Sequence, residues 1–397
     1  MPADLRCHAC GNEYEAGPDE PWRCACGHAL DFAAQPLPEG SPPPFSKLDT
    51  RRGLWTFFEF LPVSRQVSLG EGFTPLVPAE EWDAQFKLEY VFPTGSYKDR
   101  GATTLLSRAV ELGVDTVIED SSGNAGAAIA TYAARAGLDA EIYVPADIKQ
   151  SKLVAIQRAG ARPVRVEGDR EAVTEACLAA VEGDESAASL GDAPGQSGEG
   201  WYGSHAWNPA FYAGTMTFAF EVAAQREWAV PDAVVLPLGH GTLLLGAYRG
   251  FRALREAGVT DDVPRLLAAQ GTGYAPIAEA IGSDPPDEPD PGAELTAALD
   301  RDEEPAEPNE LVDGVHIKEP ARKDQIVDAI RDTGGDAVAL DAAAVEGSLD
   351  RLHRAGFYVE PTSAIAPAAL SEYRRRGVVA ESDDVVVPLT GSGMKTL

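Results

Sequence analysis

Short apolar runs alternate with alanine-rich stretches from about residue 85 onward, and this alternation most narrows what the chain can fold into. The pattern is typical of a parallel sheet wrapped by helices, so the sequence predicts an α/β fold. Since 397 residues exceed what one compact core usually holds, we expect more than one domain. The stretches 182–200 and 282–310 are predicted to be irregular surface insertions. The clearest predicted strands are 114–119, 141–144, 163–166, 233–238, 266–269 and 384–389.

Three of these strands run directly into glycine-bearing turns, at residues 121–126, 239–242 and 390–393. Ligands of open α/β sheets bind beyond the carboxyl ends of the strands. One such turn is weak evidence, because a plain strand-to-helix loop also carries glycine. Three of them predict one ligand crevice with several walls.

Four of the five cysteines fall within the first 26 residues, and a glycine follows each pair. Two such knuckles supply the four thiolates of a tetrahedral, structural Zn²⁺ site. A pair of disulfides is the alternative, which a reducing cytosol disfavours. A proline-dense run at residues 36–44 reads as a stiff linker, so we place a zinc ribbon at residues 1–35. The predicted metal ligands are Cys7, Cys10, Cys24 and Cys26.

Acidic residues outnumber basic ones by 63 to 33, which gives a net charge of −30. Such a field repels phosphate, so nucleic acids and anionic membranes are poor candidate partners. With 8 lysines against 25 arginines, the composition suggests a salt-adapted, halophilic protein. Neither a signal peptide nor a run of about 18 apolar residues is found, so we expect a cytoplasmic location.

Because lysine is scarce, few side chains can serve as an amine nucleophile. Lys98 follows an extended Pro-Thr-Gly segment and opens a predicted helix near Asp99. The positive potential at a helix N-terminus favours the neutral amine that attacks a carbonyl. The alternative is a surface lysine beside its own ion-pair partner, and spacing alone does not separate the two.

The segment Pro93-Thr94-Gly95-Ser96-Tyr97-Lys98-Asp99-Arg100-Gly101 resembles the pyridoxal phosphate lysine motif of threonine synthases and their fold-type II relatives. The resemblance implies a two-domain fold-type II enzyme of the tryptophan synthase beta-like class, with parallel or mixed sheets flanked by helices. It also implies a homodimer. Other segments resemble motifs of the same family in the same order, at residues 71–76, 122–126, 239–243, 359–364 and 389–395.

The resemblance also implies a role for each site residue. Lys98 would hold pyridoxal phosphate as an imine and move protons around the substrate carbons. Asn124 would hydrogen-bond the pyridine 3-oxygen, with a helix N-cap as its alternative role. Thr390, or failing it Ser392, would face the pyridine nitrogen. Backbone N–H groups would cradle the phosphate, from Gly239, His240, Gly241, Thr242 and Leu243.

One segment departs from the family pattern. Threonine synthases carry an arginine two residues after an Asn-Pro pair, and this chain has Phe211 there. An arginine fork is the natural grip for a phosphate dianion. The positive charge could come instead from Lys149, Lys152, Arg100 or Arg265. We expect Arg100 and Asp99 to pair or cap the helix, and the histidines His205, His316 and His353 to be ordinary polar residues.

Three functions follow from these features. The first is a lyase resembling threonine synthase, which converts O-phosphohomoserine and water to threonine and phosphate. The second is a related enzyme that performs β-elimination or β-replacement on another amino acid, such as a serine or threonine ammonia-lyase or a cysteate-synthase-like enzyme. The third is a zinc-ribbon binding protein on a degenerate scaffold. The predicted cofactor domains are a small one at residues 88–190 and a large one at residues 36–87 with 191–397.

Overall fold

Parallel strands with intervening helices form most of the structure, as the sequence pattern predicts. The structure is a computed structural model that describes residues 2–183, 200–282 and 307–396. The two predicted irregular insertions lie mostly outside these residues. The chain divides into two compact units, and the predicted domain boundaries stay a prediction. The first unit contains Met1–Leu76, Leu88–Val230 and Leu245–Val263, and the second contains Val77–Lys87, Pro231–Leu244 and Pro264–Leu397.

All six strands predicted from the sequence are present in the structure. In chain order the strands are β1 (Leu5–Cys7), β2 (Glu13–Tyr14), β3 (Leu30–Phe32), β4 (Leu76–Ala79), β5 (Ala84–Lys87), β6 (Thr116–Glu119), β7 (Asp139–Pro145), β8 (Arg162–Val166), β9 (Trp201–Tyr202), β10 (Ala233–Pro237), β11 (Arg265–Gly271), β12 (Asp336–Leu340) and β13 (Val385–Pro388).

The helices follow the same order. They are α1 (Lys98–Leu112), α2 (Asn124–Ala136), α3 (Gln150–Arg158), α4 (Arg170–Val181), α5 (Pro209–Gln225), α6 (Thr242–Glu256), α7 (Pro276–Gly282), α8 (Lys323–Asp332), α9 (Ala342–Arg354) and α10 (Pro361–Arg375). Among the described residues, no helix combines the length and the apolar character needed to cross a bilayer.

The first unit contains a small antiparallel sheet and a parallel one. Strand β1 pairs with β2 and β3 in the antiparallel sheet. The parallel sheet has the strand order β8-β7-β6-β9 in the part of the chain that is described. Helix α1 packs against α2 and α5. Every residue of α5 from Pro209 to Ala224 is buried, so this helix is apolar on nearly all sides and forms the centre of the unit.

The second unit is built on a larger sheet with the order β12-β11-β10-β13-β5-β4 within the described ranges. The pairs from β12 through β5 are parallel. All four residues of β13 are buried, as expected of a strand covered on both faces. Parallel strands place their carboxyl ends at one edge, and there β10 and β13 lead into two of the predicted glycine turns.

A fully buried ion-pair network anchors the start of α1. The Arg100 guanidinium donates to Glu89 through Nε at 2.7 Å and to Glu221 through Nη1 at 2.7 Å, and all three side chains have no exposed surface. Its Nη1 also donates to Thr217 Oγ1 at 2.9 Å. Arg100 therefore pairs within the core as predicted, and it is not available as a substrate-binding cation.

The far end of α1 is anchored to the cysteine-bearing segment. Arg108, three turns after Lys98, forms an ion pair with Glu20, and both side chains are at least 97% buried, with exposures of 1% and 3%. Burial raises the pKa of Glu20, and the Arg108 charge opposes this. The first residues of the chain are thus fixed to the same helix that carries Lys98.

Replacement of Arg100 should destabilise the protein strongly. Arg100→Met leaves the carboxylates of Glu89 and Glu221 buried without their counter-charge. We expect the free energy of unfolding to fall by about 3–5 kcal/mol, measured by urea unfolding followed by tryptophan fluorescence. The control is Arg51→Met, because the Arg51–Asp49 pair is exposed, and it should leave the urea midpoint unchanged. Equal effects of the two variants would contradict this.

Candidate functional site

Lys98 is the first residue of α1, immediately after the predicted Pro-Thr-Gly segment. The side chain is half-buried, with Nζ 5.0 Å from the centroid of the Tyr97 ring and 5.8 Å from that of Phe211. Amines packed on aromatic faces are partly shielded from water. The structure therefore places this lysine at a helix start in apolar surroundings.

The neighbouring Asp99 fixes the helix start. Its carboxylate accepts the backbone N–H of Thr94 at 2.9 Å and also bonds the Thr94 hydroxyl. The Tyr132 hydroxyl, on α2, lies 3.3 Å from Asp99 and 3.1 Å from Glu71. Burial, together with these two carboxylates, raises the pKa of Tyr132, so the phenol stays protonated and donates. This network links the Lys98 helix to the segment at residues 71–76.

Phe211 lies at the position where the family motif carries arginine. It is fully buried on α5, and a Cβ added to Gly101 would lie 2.2 Å from its ring. Only glycine permits this approach of α1 to α5. Of the other cations considered from the sequence, Arg265 donates to Asp383 at 2.6 Å and to the carbonyl of Val378. The position beside Lys98 is thus aromatic rather than cationic.

His205 has a buried acidic partner that its sequence neighbourhood does not indicate. Its Nδ1 lies 2.7 Å from Glu119 Oε1, and its backbone N–H donates to Oε2 at 3.1 Å. Sequence reasoning missed the pair because the two residues are 86 positions apart. The sequence feature that could have indicated this pair is the carboxylate of Glu119 at the end of the apolar strand β6.

Asn124 is the first residue of α2, after the turn that follows β6. The N-cap position belongs to Gly123, so Asn124 is not the capping residue that the alternative interpretation required. The turn is closed by the Gly123 N–H, which donates to Ser121 Oγ at 3.3 Å. The cofactor role of Asn124 stays a prediction.

In the second unit, the predicted phosphate loop connects β10 to the N-terminus of α6 at Thr242. Gly241 has φ +74°, and a Cβ there would lie 2.5 Å from Ile326 Cδ1. The loop thus needs glycine both for its backbone conformation and for its packing. The N-terminus of a helix presents backbone N–H groups and a favourable dipole to an anion, so a glycine loop at this position suits a phosphate.

Thr390 follows β13 in the same unit and is 3% exposed. Its hydroxyl lies 3.0 Å from the hydroxyl of Ser363, which accepts the Gly391 N–H at 2.7 Å. Ser392, the other candidate, accepts the N–H of Met394 at 3.3 Å in a local turn. A buried hydroxyl held by a second hydroxyl is the better candidate to face a ring nitrogen.

The four predicted metal ligands come together. The sulfur atoms of Cys7, Cys10, Cys24 and Cys26 all lie within 4.8 Å of one another. Sulfurs around one tetrahedral Zn²⁺ ion, each about 2.3 Å from it, are about 3.8 Å apart. The Cys7–Cys26 and Cys10–Cys24 sulfurs are 3.6 and 3.4 Å apart, too far for disulfide bonds.

Local hydrogen bonds prepare one of these thiols for metal binding. The pKa of Cys24 is lowered to about 6, first by the backbone hydrogen bond from Cys26 and then by the Tyr14 hydroxyl. A thiolate is the form that binds zinc. The donor set therefore fits a structural Zn²⁺ ion.

Comparison with known proteins identifies the family. A profile described as "Pyridoxal-phosphate dependent enzyme" matches residues 67–391. The chain belongs to this family. Threonine synthase of Methanocaldococcus jannaschii is 29% identical over 98% of this chain and 92% of its own length. Threonine synthase of Methanosarcina acetivorans is 30% identical over the same shares.

Solved structures of pyridoxal-phosphate enzymes share the fold. A pyridoxal 5'-phosphate-dependent aspartate racemase superposes with a TM-score of 0.62 at 20% identity, over 80% of this chain and 90% of its own. The predicted fold class, a fold-type II pyridoxal-phosphate enzyme, is confirmed. The protein is a pyridoxal-phosphate-dependent enzyme of the lyase type, which argues against the degenerate-scaffold hypothesis.

Each unit, taken by itself, holds residues of the kinds that suit the cofactor of this family. In the first unit these are Lys98, an amine at a helix start, and Asn124. In the second unit these are the glycine loop, whose packing leaves no room for a Cβ at Gly241, and the buried hydroxyl of Thr390. The individual roles of these residues stay predictions.

The cysteine cluster should bind one zinc ion per chain. Cys24→Ser removes the buried thiol whose pKa is lowered, so we expect the zinc content of the purified protein to fall to near zero, measured by inductively coupled plasma mass spectrometry. The control is Cys177→Ala, a buried cysteine outside the cluster, which should keep the full zinc content. Zinc retained in the Cys24 variant would contradict the assignment.

The two candidate hydroxyls should be separable by spectroscopy. Thr390→Val keeps the shape of the buried side chain but removes the hydroxyl, so the visible absorption maximum of the bound cofactor should shift. Ser392→Ala should leave the spectrum unchanged, because Ser392 only closes a local turn. A shift confined to the Ser392 variant would reverse the assignment.

Proposed function

We propose that the protein is a threonine-synthase-like lyase, which converts O-phosphohomoserine and water to threonine and phosphate. The observation that carries the proposal is that the two archaeal threonine synthases match 98% of the chain, which leaves little room for a segment without a counterpart. The buried hydroxyl of Thr390 agrees with it. A hydroxyl cannot protonate the ring nitrogen as a carboxylate would, which favours elimination and replacement over transamination.

Each residue has a defined task in this proposal. Pyridoxal phosphate, when bound, supplies an electron store for bonds at the substrate carbons. Lys98 Nζ binds the cofactor and then moves protons between substrate carbons. Asn124 donates to the 3-oxygen, and the N–H groups of residues 239–243 bind the phosphate. Thr390 orients the ring through its hydroxyl. Zinc, in this proposal, is structural.

One observation favours a second candidate. Phe211 occupies the position of the family's arginine and is buried against Gly101, so no cation from this position reaches the site. A hydroxy amino acid without a phosphate, such as serine or threonine, would not need that cation. The second candidate is therefore β-elimination on such a substrate. The cytoplasmic location, the salt adaptation and the homodimer stay predictions.

Product analysis separates the two candidates. Holoenzyme in high salt should release phosphate from O-phosphohomoserine and form threonine, detected by molybdate assay and chromatography. Ketoacid formed from serine or threonine, with no phosphate release, would support the second candidate instead.

Lys98→Ala should abolish turnover and lose the visible absorbance of the bound cofactor, whereas the Lys47→Ala variant, at an exposed lysine, should keep both. Full absorbance in the Lys98 variant would contradict the site.

A further inference from the structure

The Glu119–His205 pair lies where two neighbouring parallel strands end. Glu119 is the last residue of β6, and β9, which ends at Tyr202, pairs with β6 in parallel. The Gly203 N–H extends this pairing with a bond of 2.9 Å to the carbonyl of Ile118. Ligands of α/β sheets bind at such carboxyl ends. His205 therefore reaches the ligand-binding edge of its sheet.

The pair is close to Lys98. The His205 ring meets the Phe211 ring edge-on, with centroids 5.9 Å apart, and Lys98 Nζ lies 5.8 Å from the same Phe211 centroid. The Lys98 charge also acts on Glu119 and opposes the rise of its pKa. Lys98, Phe211, His205 and Glu119 thus form one cluster in the first unit.

The acid of this pair, Glu119, is buried at an energetic cost. Glu119 has no exposed surface, and burial, aided by the Asp120 charge, raises its pKa, while the His205 N–H, Arg170 and Lys98 oppose the rise. A buried charge is expensive unless it is well bonded. If Glu119 only held the loop after β9 in place, its bond to the His205 backbone N–H would be enough. Such a structural role does not require the second bond, to the imidazole nitrogen, and an apolar side chain could take the place of the imidazole.

The bond at Nδ1 sets the chemistry of the ring. When Nδ1–H donates to a carboxylate, the neutral imidazole carries its lone pair on Nε2, so acid–base chemistry falls to Nε2. The carboxylate also stabilises the imidazolium that forms when Nε2 takes up a proton. Glu119 thereby orients His205 and makes it a stronger base.

We propose that His205, oriented by Glu119, is a second acid–base group of the Lys98 site and carries the proton of the hydroxyl oxygen at substrate Cβ. This inference rests on the proposed function, because both candidate reactions make or break a carbon–oxygen bond at Cβ. Lys98 transfers the protons of the substrate carbons, and His205 transfers the proton of the substrate oxygen.

The proton transfer by His205 balances both for the addition of water to Cβ and for the elimination of a hydroxyl group from Cβ. In hydration, a lone pair of water forms the bond to Cβ, one O–H bond breaks, and Nε2 takes the proton and later returns it to solvent. Pyridoxal phosphate, when bound, would supply the store for the electron pair displaced from the carbon–carbon double bond. In elimination, the C–O bond breaks and Nε2–H gives its proton to the departing oxygen, which leaves as water. Neither direction needs an oxidant or reductant.

Two variants test the proposal in the holoenzyme. His205→Asn keeps a donor for Glu119 but cannot shuttle a proton, so kcat should fall by about 10²- to 10⁴-fold with KM changed little. Glu119→Gln replaces the acid with a neutral amide. The limb of the kcat–pH profile that is assigned to His205 should therefore move to lower pH. His353→Asn is the control, because the His353 ring lies 3.0 Å from the backbone carbonyl of Val359 and has no part in the Lys98 cluster, so this variant should keep the wild-type rate. Cofactor absorbance and melting temperature should be preserved in all three.

A kcat for His205→Asn within about threefold of wild type would overturn the proposal. So would losses of cofactor and melting temperature that account for the whole fall in rate, since these indicate a brace. If His205→Asn does not fold, the Glu119→Gln variant decides. A kcat–pH profile that stays at the wild-type position overturns the proposal, and a limb shifted to lower pH supports it.

A measurement without turnover keeps the proposal separate from the proposed function. The chain has only six histidines, so ¹³Cε1-histidine labelling gives few NMR signals, and loss of one signal in His205→Asn assigns it. The His205 signal should shift when the apoprotein is loaded with pyridoxal phosphate, and no shift would overturn its place at the site. The wrong product from wild-type enzyme would refute only the proposed reaction.

Discussion

The position of Lys98 depends on the two charged residues that follow it. Asp99 and Arg100 are completely buried and point to different partners, Asp99 to Thr94 and Tyr132, and Arg100 to Glu89 and Glu221. Charges in a low-dielectric interior tolerate little displacement from their partners. The first turn of α1 is thus held in one rotation, and this sets the direction in which the amine extends.

Much of the fold could be predicted because it is written in local patterns. The apolar runs identified six strands, and the glycine turns after β6, β10 and β13 indicated where ligand-binding loops lie. The short strand β9 was missed, since two residues carry no periodicity. The cysteine cluster was recognised from spacing alone, because each knuckle is local and only their meeting is tertiary.

The parts of the site that the sequence did not reveal are pairings over long separations. His205 and Glu119 are 86 residues apart, and Ser363 and Thr390 are 27 apart. Neither pair has a motif, because its geometry arises only when separate strands or helices come together. Lys98 and Asn124 were predicted because each lies in a segment that resembles a family motif, and each such segment leads into a helix. The exchange of arginine for Phe211 was visible, but its packing on Gly101 required the structure.

The Glu20–Arg108 ion pair makes the cysteine-bearing segment a structural part of the first unit, because it joins that segment to α1. Removing the first 35 residues to obtain a shorter protein would remove Glu20 and leave the Arg108 guanidinium without this counter-ion at the end of the lysine-bearing helix. Such truncation would act on the catalytic half of the molecule from a distance. A truncated protein would therefore also need a neutral side chain at position 108 to avoid a buried, unpaired charge.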